Sequence, residues 1–306
     1  MHVFVTGASG WIGSAVVPDL LAAGHTVTGL ARSEASADAL TAGGAQALRG
    51  TLADLDLLRA AAGDADAVIH LAFQHDIAFS GGFDAAATAD RLAVEAMGAA
   101  LAGSDRPFAI ASGLLGLHGD SGTTVTELGG HGTVVGGQGP RQRHATAEFT
   151  LALAEQGVRS SVVRLAPTVH GDGDEGFMAT LVRVARDRGV AGYLGDGSSR
   201  WPAVHRLDAA RLFRLAIEEA PAGSTLHAAA DEGVGMKDIA EVFGRHLNVP
   251  VAEIPAADAA AHFTWLAGFV GLDSPASSAL TRKLLGWRPE QPGLLADLDQ
   301  GHYFGA

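Results

Sequence analysis

The sequence predicts an α/β fold: a doubly wound parallel sheet with helices on both faces and a smaller, discontinuous C-terminal lobe. Three observations predict it. A glycine-rich run, Thr6-Gly-Ala-Ser-Gly-Trp-Ile-Gly13, separates a short apolar stretch from a helical pattern. Further short apolar runs recur at 26–31, 67–72, 108–112 and 161–165, with helical patterns between several of them. At 306 residues and with an apolar-rich composition, the chain can build one large core and a lobe beside it.

The stretch His2–Thr6 reads as a buried first strand. The helix after the glycine run has apolar residues at Ile12, Val16, Val17, Leu20 and Leu21 and is stopped by Gly24. Strand, glycine turn and helix in this order make a dinucleotide site. One glycine permits the tight turn, one lets the backbone approach a pyrophosphate, and one lets helix and strand pack closely. The pyrophosphate sits on free N–H groups at the positive end of the helix. The expected cofactor contacts in this turn are Gly7, Ser9, Gly10, Trp11, Ile12 and Gly13. Two residues stand between each pair of glycines. That spacing resembles the extended and atypical branches of the short-chain dehydrogenase/reductase superfamily, which are built on a Rossmann sheet.

Composition sets outer limits. There is no cysteine, so thiolate chemistry and disulfides are excluded. A net charge of -13 argues against nucleic acid, which needs clustered positive charge. The first residues enter a strand directly, without the pattern of a signal peptide, and no apolar stretch is long enough for a bilayer. No membrane partner and a cytoplasmic location are therefore expected. Lysine occurs only at positions 237 and 283.

Thr26–Ala31 reads as the second strand, with Arg32 and Ser33 at its end. An NAD-preferring site puts an acidic residue there to bond the ribose hydroxyls. A cation and a hydroxyl suit the 2′-phosphate of NADP(H), so NADPH/NADP+ is expected over NADH. Arg32 as a solvated loop residue is the competing reading, and Glu34 next door blurs the signal. Leu52–Asp54, before a helix at 55–62, resembles the family segment beside the adenine, with Thr51 in place of the usual acidic residue. Ala67–Ala72 is a strong buried strand that matches the one ending under the nicotinamide ribose. Leu71, Ala72 and Phe73 are thus expected at the cofactor, with Gln74 and His75 nearby. His75 is a candidate for meeting substrate, whereas His70 reads as a satisfied core histidine.

A helix is expected at 84–101, and in related enzymes its equivalent builds a dimer interface. A homodimer through it and a helix that only covers the sheet are both open. The strand Phe108–Ser112 ends on Ser112, which matches the family's active-site hydroxyl. Residues 113–140 read as a substrate loop, where His118 and His131 receive no role. A helix from about 141 to 156, a strand at 161–165 and a loop at 166–171 follow. That loop resembles the family's Pro-containing nicotinamide loop, with Pro167 and Val169 as contacts. Residues 1–171 and 206–228 are expected to form the dinucleotide-binding domain, and 172–205 and 229–306 the substrate lobe. The acidic glycine-rich run 171–176 lacks the spacing of a calcium loop, and no zinc motif occurs, so no metal is expected.

One departure from the family governs the chemistry. Most short-chain reductases pair a tyrosine with a lysine four residues later on one helix, which makes the phenol a usable acid. Here the tyrosines are Tyr193 and Tyr303, and no lysine precedes Lys237. The segment Pro140–Glu148 resembles the one that normally carries the pair, with Arg141 in the tyrosine place and Ala145 in the lysine place. Arg141 offsets charge but is a poor acid. His144 titrates near neutrality, and Glu148 four residues on can orient it. The candidate mechanism has Ser112 polarising a carbonyl and His144 donating the proton. Arg141 and His144 as solvated or interface residues is the alternative.

The leading functional expectation is NADPH-dependent reduction of an aldehyde or ketone. Phe263, Trp265, Leu266 and Phe269 read either as an apolar substrate pocket or, equally, as core or dimer contact. Two other functions stay open: an NADP(H)-responsive regulator without turnover, and a sugar-nucleotide epimerase or dehydratase.

Overall fold

The computed structural model describes residues 1–117, 124–129 and 138–305. His118 and His131 lie outside the described residues, as does much of the expected substrate loop. The first half of the chain alternates strand and helix. The elements are β1 (His2–Thr6), α1 (Gly13–Ala22), β2 (Thr26–Ala31), α2 (Glu34–Ala42), β3 (Gln46–Arg49), α3 (Leu55–Asp64) and β4 (Ala67–His70). A short α4 (His75–Ile77) leads into the long α5 (Phe83–Leu101), then β5 (Pro107–Gly113), α6 (Gln138–Ala152) and β6 (Arg159–Leu165). With β10 (Ser224–Ala228) these strands form one seven-stranded parallel sheet in the order β10-β6-β5-β4-β1-β2-β3. The order reverses beside β1, which opens the crevice where ligands of such sheets bind.

The strands are apolar on both faces because helices cover both. Val3, Val5, Ile69, Ala109 and Val163 share one core with α1 and with α8 (Arg206–Glu219). Phe4, Val68, Phe108, Ile110 and Val162 face the other way, into a core completed by α3, α5 and Ala147 of α6. Each buried Phe or Leu here contributes roughly 1.5–3 kcal/mol from apolar burial.

The lobe is assembled from β7 (Thr168–His170), α7 (Phe177–Arg188), β8 (Ala191–Leu194), β9 (Arg200–His205), β11 (Asp231–Gly235), α9 (Met236–Leu247) and β12 (Val251–Ile254). Short helices α10 (Ala259–Phe263), α11 (Ala279–Leu285) and α12 (Leu294–Leu298) follow. β9 lies between β7 and β11, and β8 pairs with β12. β7 falls within 1–171, yet it pairs with a lobe strand.

Two expectations need adjustment. The strand expected at 67–72 ends at His70, because the amides of Leu71 and Ala72 turn back onto the carbonyl and hydroxyl of Thr6. The helix expected from Arg141 starts at Gln138 and ends at Ala152. A 3-10 turn then takes the chain to Gly157, at φ 71°. Phe263 and Leu266 are fully buried core, whereas Trp265 is half exposed and clusters with Phe177. Of the readings left open for these residues, Phe263 and Leu266 take the core one.

Candidate active site at the carboxyl ends of the strands

The glycine turn is dictated by space. Gly7 has φ 68°, and a Cβ there would lie 2.7 Å from the amide nitrogen of Ala72. A Cβ on Gly13 would lie 2.1 Å from the Gly7 carbonyl oxygen. The amide of Gly10 donates to Gly7 O and that of Ser14 to Gly10 O. The amides of Trp11, Ile12 and Gly13 meet no acceptor among the described residues, and α1 has no acidic residue in its first turn. Unpaired N–H groups at the positive end of a helix are the donor set a pyrophosphate takes, so these residues fit a dinucleotide. Ser9 is exposed and Ile12 half-buried at the head of α1. The Trp11 indole N–H donates to Val169 O at 2.8 Å and ties the glycine turn to β7, next to Pro167.

At the end of β2, Arg32 is exposed and lies 3.3 Å from Asp76. Ser33 caps α2, accepting from the amide of Ser36 and donating to its hydroxyl. Glu34 is taken up by Arg49 at 2.6 Å, which leaves Arg32 as the cation facing outward from this strand. Leu52 is buried beneath the segment, and both polar groups of Thr51 are engaged by Asp54.

The α5/α6 face of the sheet changes character along its strands. Its deep positions are Phe4, Val68, Phe108 and Val162. At the carboxyl ends the same face carries Thr6, His70, Ser112, Arg164 and His227. Thr6 is the register partner of His70, and Arg164 pairs with Ser112 on one side and His227 on the other. The sheet thus buries apolar rows where helices seal it and polar rows where the crevice opens.

Two helices complete the polar rows. The Thr6 hydroxyl, which accepts from Ala72 N, lies 2.7 Å from His70 Nδ1, and His70 Nε2 lies 3.1 Å from Asp90 of α5. The Nε2–H tautomer of His70 satisfies both contacts, so His70 is a bonded core histidine. Beyond Asp90 stands Arg143 of α6, with Nη1 at 3.8 Å from the carboxylate. Arg143 also donates to Ala111 O at 3.1 Å, and its guanidinium carbon lies 3.9 Å from the centre of the Phe73 ring. Burial, the largest influence on Asp90, would raise its pKa. The Arg143 charge and the His70 contacts outweigh it and hold the carboxyl below the usual range.

The remaining candidates divide around this centre. Arg141 is exposed. His144 is largely buried, with Nε2 3.5 Å from Glu148. Burial lowers the pKa of Arg164, opposed by the charges of Glu148 and Glu127. His144 thus sits beside Glu148, whose charge acts on Arg164, the register partner of Ser112. His75 is at the surface, edge-on to Phe73. Desolvation, and then the Arg143 charge, push its pKa down, against Asp76 and Asp90. Leu71 and Ala72 pass directly beneath Gly7.

Neither tyrosine takes up the missing dyad. Tyr193 stands near Lys237 in the lobe, with the ammonium 5.7 Å from its ring centre. Tyr303 donates to Asp174, and burial followed by that carboxylate pushes its pKa up, away from proton-transfer range. Sequence reading missed Arg143 and Asp90. The charge of Asp90 within an otherwise apolar helix face was the available signal for the pair. Among the described residues no cluster of metal-ligating side chains occurs, and no helix is long and apolar enough to cross a membrane.

A family model described as the NAD dependent epimerase/dehydratase family matches residues 3–95, the segment holding the glycine turn. The chain is similar to an uncharacterized protein of Schizosaccharomyces pombe, 44% identical over 306 residues, covering 99% of this chain and 100% of that protein. An uncharacterized protein of Saccharomyces cerevisiae is 43% identical over 300 residues, 97% of this chain and 98% of that one. The structure of UDP-glucose 4-epimerase from Thermus thermophilus in complex with NAD has a TM-score of 0.74 at 19% identity, covering 100% of both chains. The glycine turn, the sheet order and these likenesses agree: residues 3–95 form a domain of the NAD-dependent epimerase/dehydratase family, the whole chain belongs with the two uncharacterized yeast proteins, and its fold is that of UDP-glucose 4-epimerase.

Proposed function

We propose that the protein is an NADPH-dependent oxidoreductase that reduces an aldehyde or ketone. The observation that carries this reading is the Arg143 guanidinium anchored on the carbonyl of Ala111, one residue before Ser112 at the crevice. NADPH, when bound on the glycine turn, supplies the hydride. The Ser112 hydroxyl donates a hydrogen bond to the substrate carbonyl oxygen. Arg143, held by Asp90 and Phe73, offsets the negative charge that grows on that oxygen as the carbonyl carbon is reduced. His144 gives the proton that completes the alcohol, directly or through one water, and Glu148 orients its ring. Arg143 replaces Arg141 in this scheme because Arg141 faces solvent.

The first experiment follows NADPH oxidation by absorbance over a panel of aldehydes, ketones and diketones. Turnover supports the reading; tight binding without turnover on any of them favours the regulator. Ser112→Ala and His144→Gln are each expected to lower kcat about 10²-fold or more, the range of an oxyanion donor or a general acid. Unchanged turnover in either variant removes that residue from the mechanism.

Arg32 is the proposed contact for the 2′-phosphate. Arg32→Ala is expected to weaken NADPH by about 10- to 100-fold, the range of a charge-assisted hydrogen bond, and to leave NADH nearly unchanged. Equal weakening of the two cofactors would count against a 2′-phosphate role. A second reading, epimerase or dehydratase action on a sugar nucleotide, draws on the likeness to UDP-glucose 4-epimerase across the lobe as well as the sheet. Stabilisation by UDP-glucose in a thermal shift assay would favour it.

A further inference from the structure

Arg206 opens α8. Its guanidinium carbon lies 4.4 Å from the centre of the Trp11 ring. Its aliphatic stem passes against Gly171, where a Cβ would meet Arg206 Cγ at 3.4 Å. Trp11 is itself fixed by its bond to Val169 O. The arginine is therefore clamped on a rigid aromatic surface rather than free in solvent.

What it lacks is an acceptor. Among the described residues, every arginine except Arg141, Arg206 and Arg288 donates to a carboxylate, a hydroxyl or a backbone carbonyl. The nearest acidic residue on its own helix, Asp208, is occupied by the amides of Glu290 and Gln291. In a chain with a net charge of -13, a guanidinium without a counter-ion is unusual. Stacking preorganises the fork and leaves its five N–H donors unused.

A second group of unused donors stands beside it. Trp11, the residue on which Arg206 lies, follows Gly10 directly, and the amides of Trp11, Ile12 and Gly13 meet no acceptor among the described residues. Two independent positive features thus share Trp11: its amide is one of the unpaired N–H groups at the start of α1, and its ring carries the unpaired guanidinium. Both require the same chemistry, an anion with several oxygens.

We propose that Arg206 is a second-wall clamp for a diphosphate bound on the glycine turn, closing over it from α8 while the backbone amides hold it from below. This rests on the dinucleotide part of the proposed function and is independent of which substrate is reduced. The diphosphate is that of the cofactor, whose two phosphates lie between the adenosine and nicotinamide halves. Arg206 accordingly contributes equally to NADPH and NADH, in contrast to Arg32.

Titration calorimetry on the full chain tests this with four ligands: NADPH, NADH, adenosine 2′,5′-bisphosphate, which lacks the diphosphate bridge, and UDP-glucose. Arg206→Met keeps the stem packed on Gly171 and removes the charge. It is expected to weaken NADPH and NADH by the same factor, about 10-fold or more, and to weaken the 2′,5′-bisphosphate, which keeps only the adenosine-side phosphate, by a clearly smaller factor. Arg206→Lys, which keeps a point charge without the fork, is expected to fall between wild type and Arg206→Met. Unchanged cofactor affinity in Arg206→Met overturns the proposal. A loss confined to NADPH and the 2′,5′-bisphosphate overturns it too, and moves Arg206 to the 2′-phosphate. A loss seen with UDP-glucose but not with NADPH or NADH assigns the arginine to a substrate diphosphate instead and also overturns it. A wild-type chain that binds neither cofactor removes the dinucleotide reading itself. Thermal melting of each variant checks that the fold is kept.

Discussion

Gly13→Ala is expected to abolish measurable cofactor binding and to lower the melting temperature by roughly 5 °C. The added Cβ would stand 2.1 Å from the Gly7 carbonyl oxygen and 2.7 Å from the carbonyl of Ala8, all backbone atoms. A flexible side chain could swing aside, but here the turn itself must move. Gly7 cannot retreat, because it is packed on the amide of Ala72 in a left-handed conformation that favours glycine. Overpacking typically costs 1–3 kcal/mol, and a backbone-on-backbone clash belongs at about 3 kcal/mol, which sets the temperature estimate for a chain of this size. Moving the turn also misaligns the three unpaired amides, so binding falls more than stability does. Gly63→Ala is the control. That glycine lies on an exposed face of α3 with nothing near its absent Cβ, so alanine should be neutral or stabilising by up to about 1 kcal/mol. Retained NADPH binding in Gly13→Ala would show that the turn does not hold the cofactor.

Asp90→Ala is expected to destabilise the protein by about 3–5 kcal/mol, because it leaves Arg143 without its counter-charge and His70 without its acceptor. Asp90→Asn should cost less, since an amide oxygen still accepts from His70 Nε2. The pH dependence carries a definite sign. The carboxyl pKa is depressed in the folded state, so its contribution to stability is present in full above the ordinary aspartate value of 3.8 and is lost as pH falls through the lower folded value. Urea unfolding should accordingly show a wide gap between wild type and Asp90→Asn at pH 7, narrowing at pH 3. A gap independent of pH would mean that Asp90 stabilises through packing alone. Loss of turnover without loss of cofactor affinity in the same variants would tie the Arg143 charge to the chemical step.

The expected elements were legible because each rests on local chemistry. β2 begins and ends where alternating and apolar residues predict it, and α5 starts one residue from its expected position. The glycine spacing specified its turn because glycine alone fits at Gly7 and Gly13. The choice between Arg141 and Arg143 was not legible. The segment Gln138–His144 carries no large apolar residue, so no apolar stripe sets the rotation of the helix, and the two arginines look equivalent in sequence. Packing of Ala147 and Thr150 against the sheet sets that rotation and turns Arg143 inward. Leu266 and Phe263 show the same limit: an apolar residue reads alike whether it lines a pocket or fills a core.

By itself the sequence determined the sheet, the glycine turn, the cation at the end of β2 and the absence of a tyrosine–lysine pair. Those follow from periodicity, from the steric uniqueness of glycine and from which residue types occur at all. Only the tertiary structure decided that Asp90 meets Arg143, that Ser112, Arg164 and His227 share one row, and that Arg206 lies on Trp11. Each of these joins groups far apart along the chain. Their meeting is set by strand order and helix packing, which no local pattern of residues encodes.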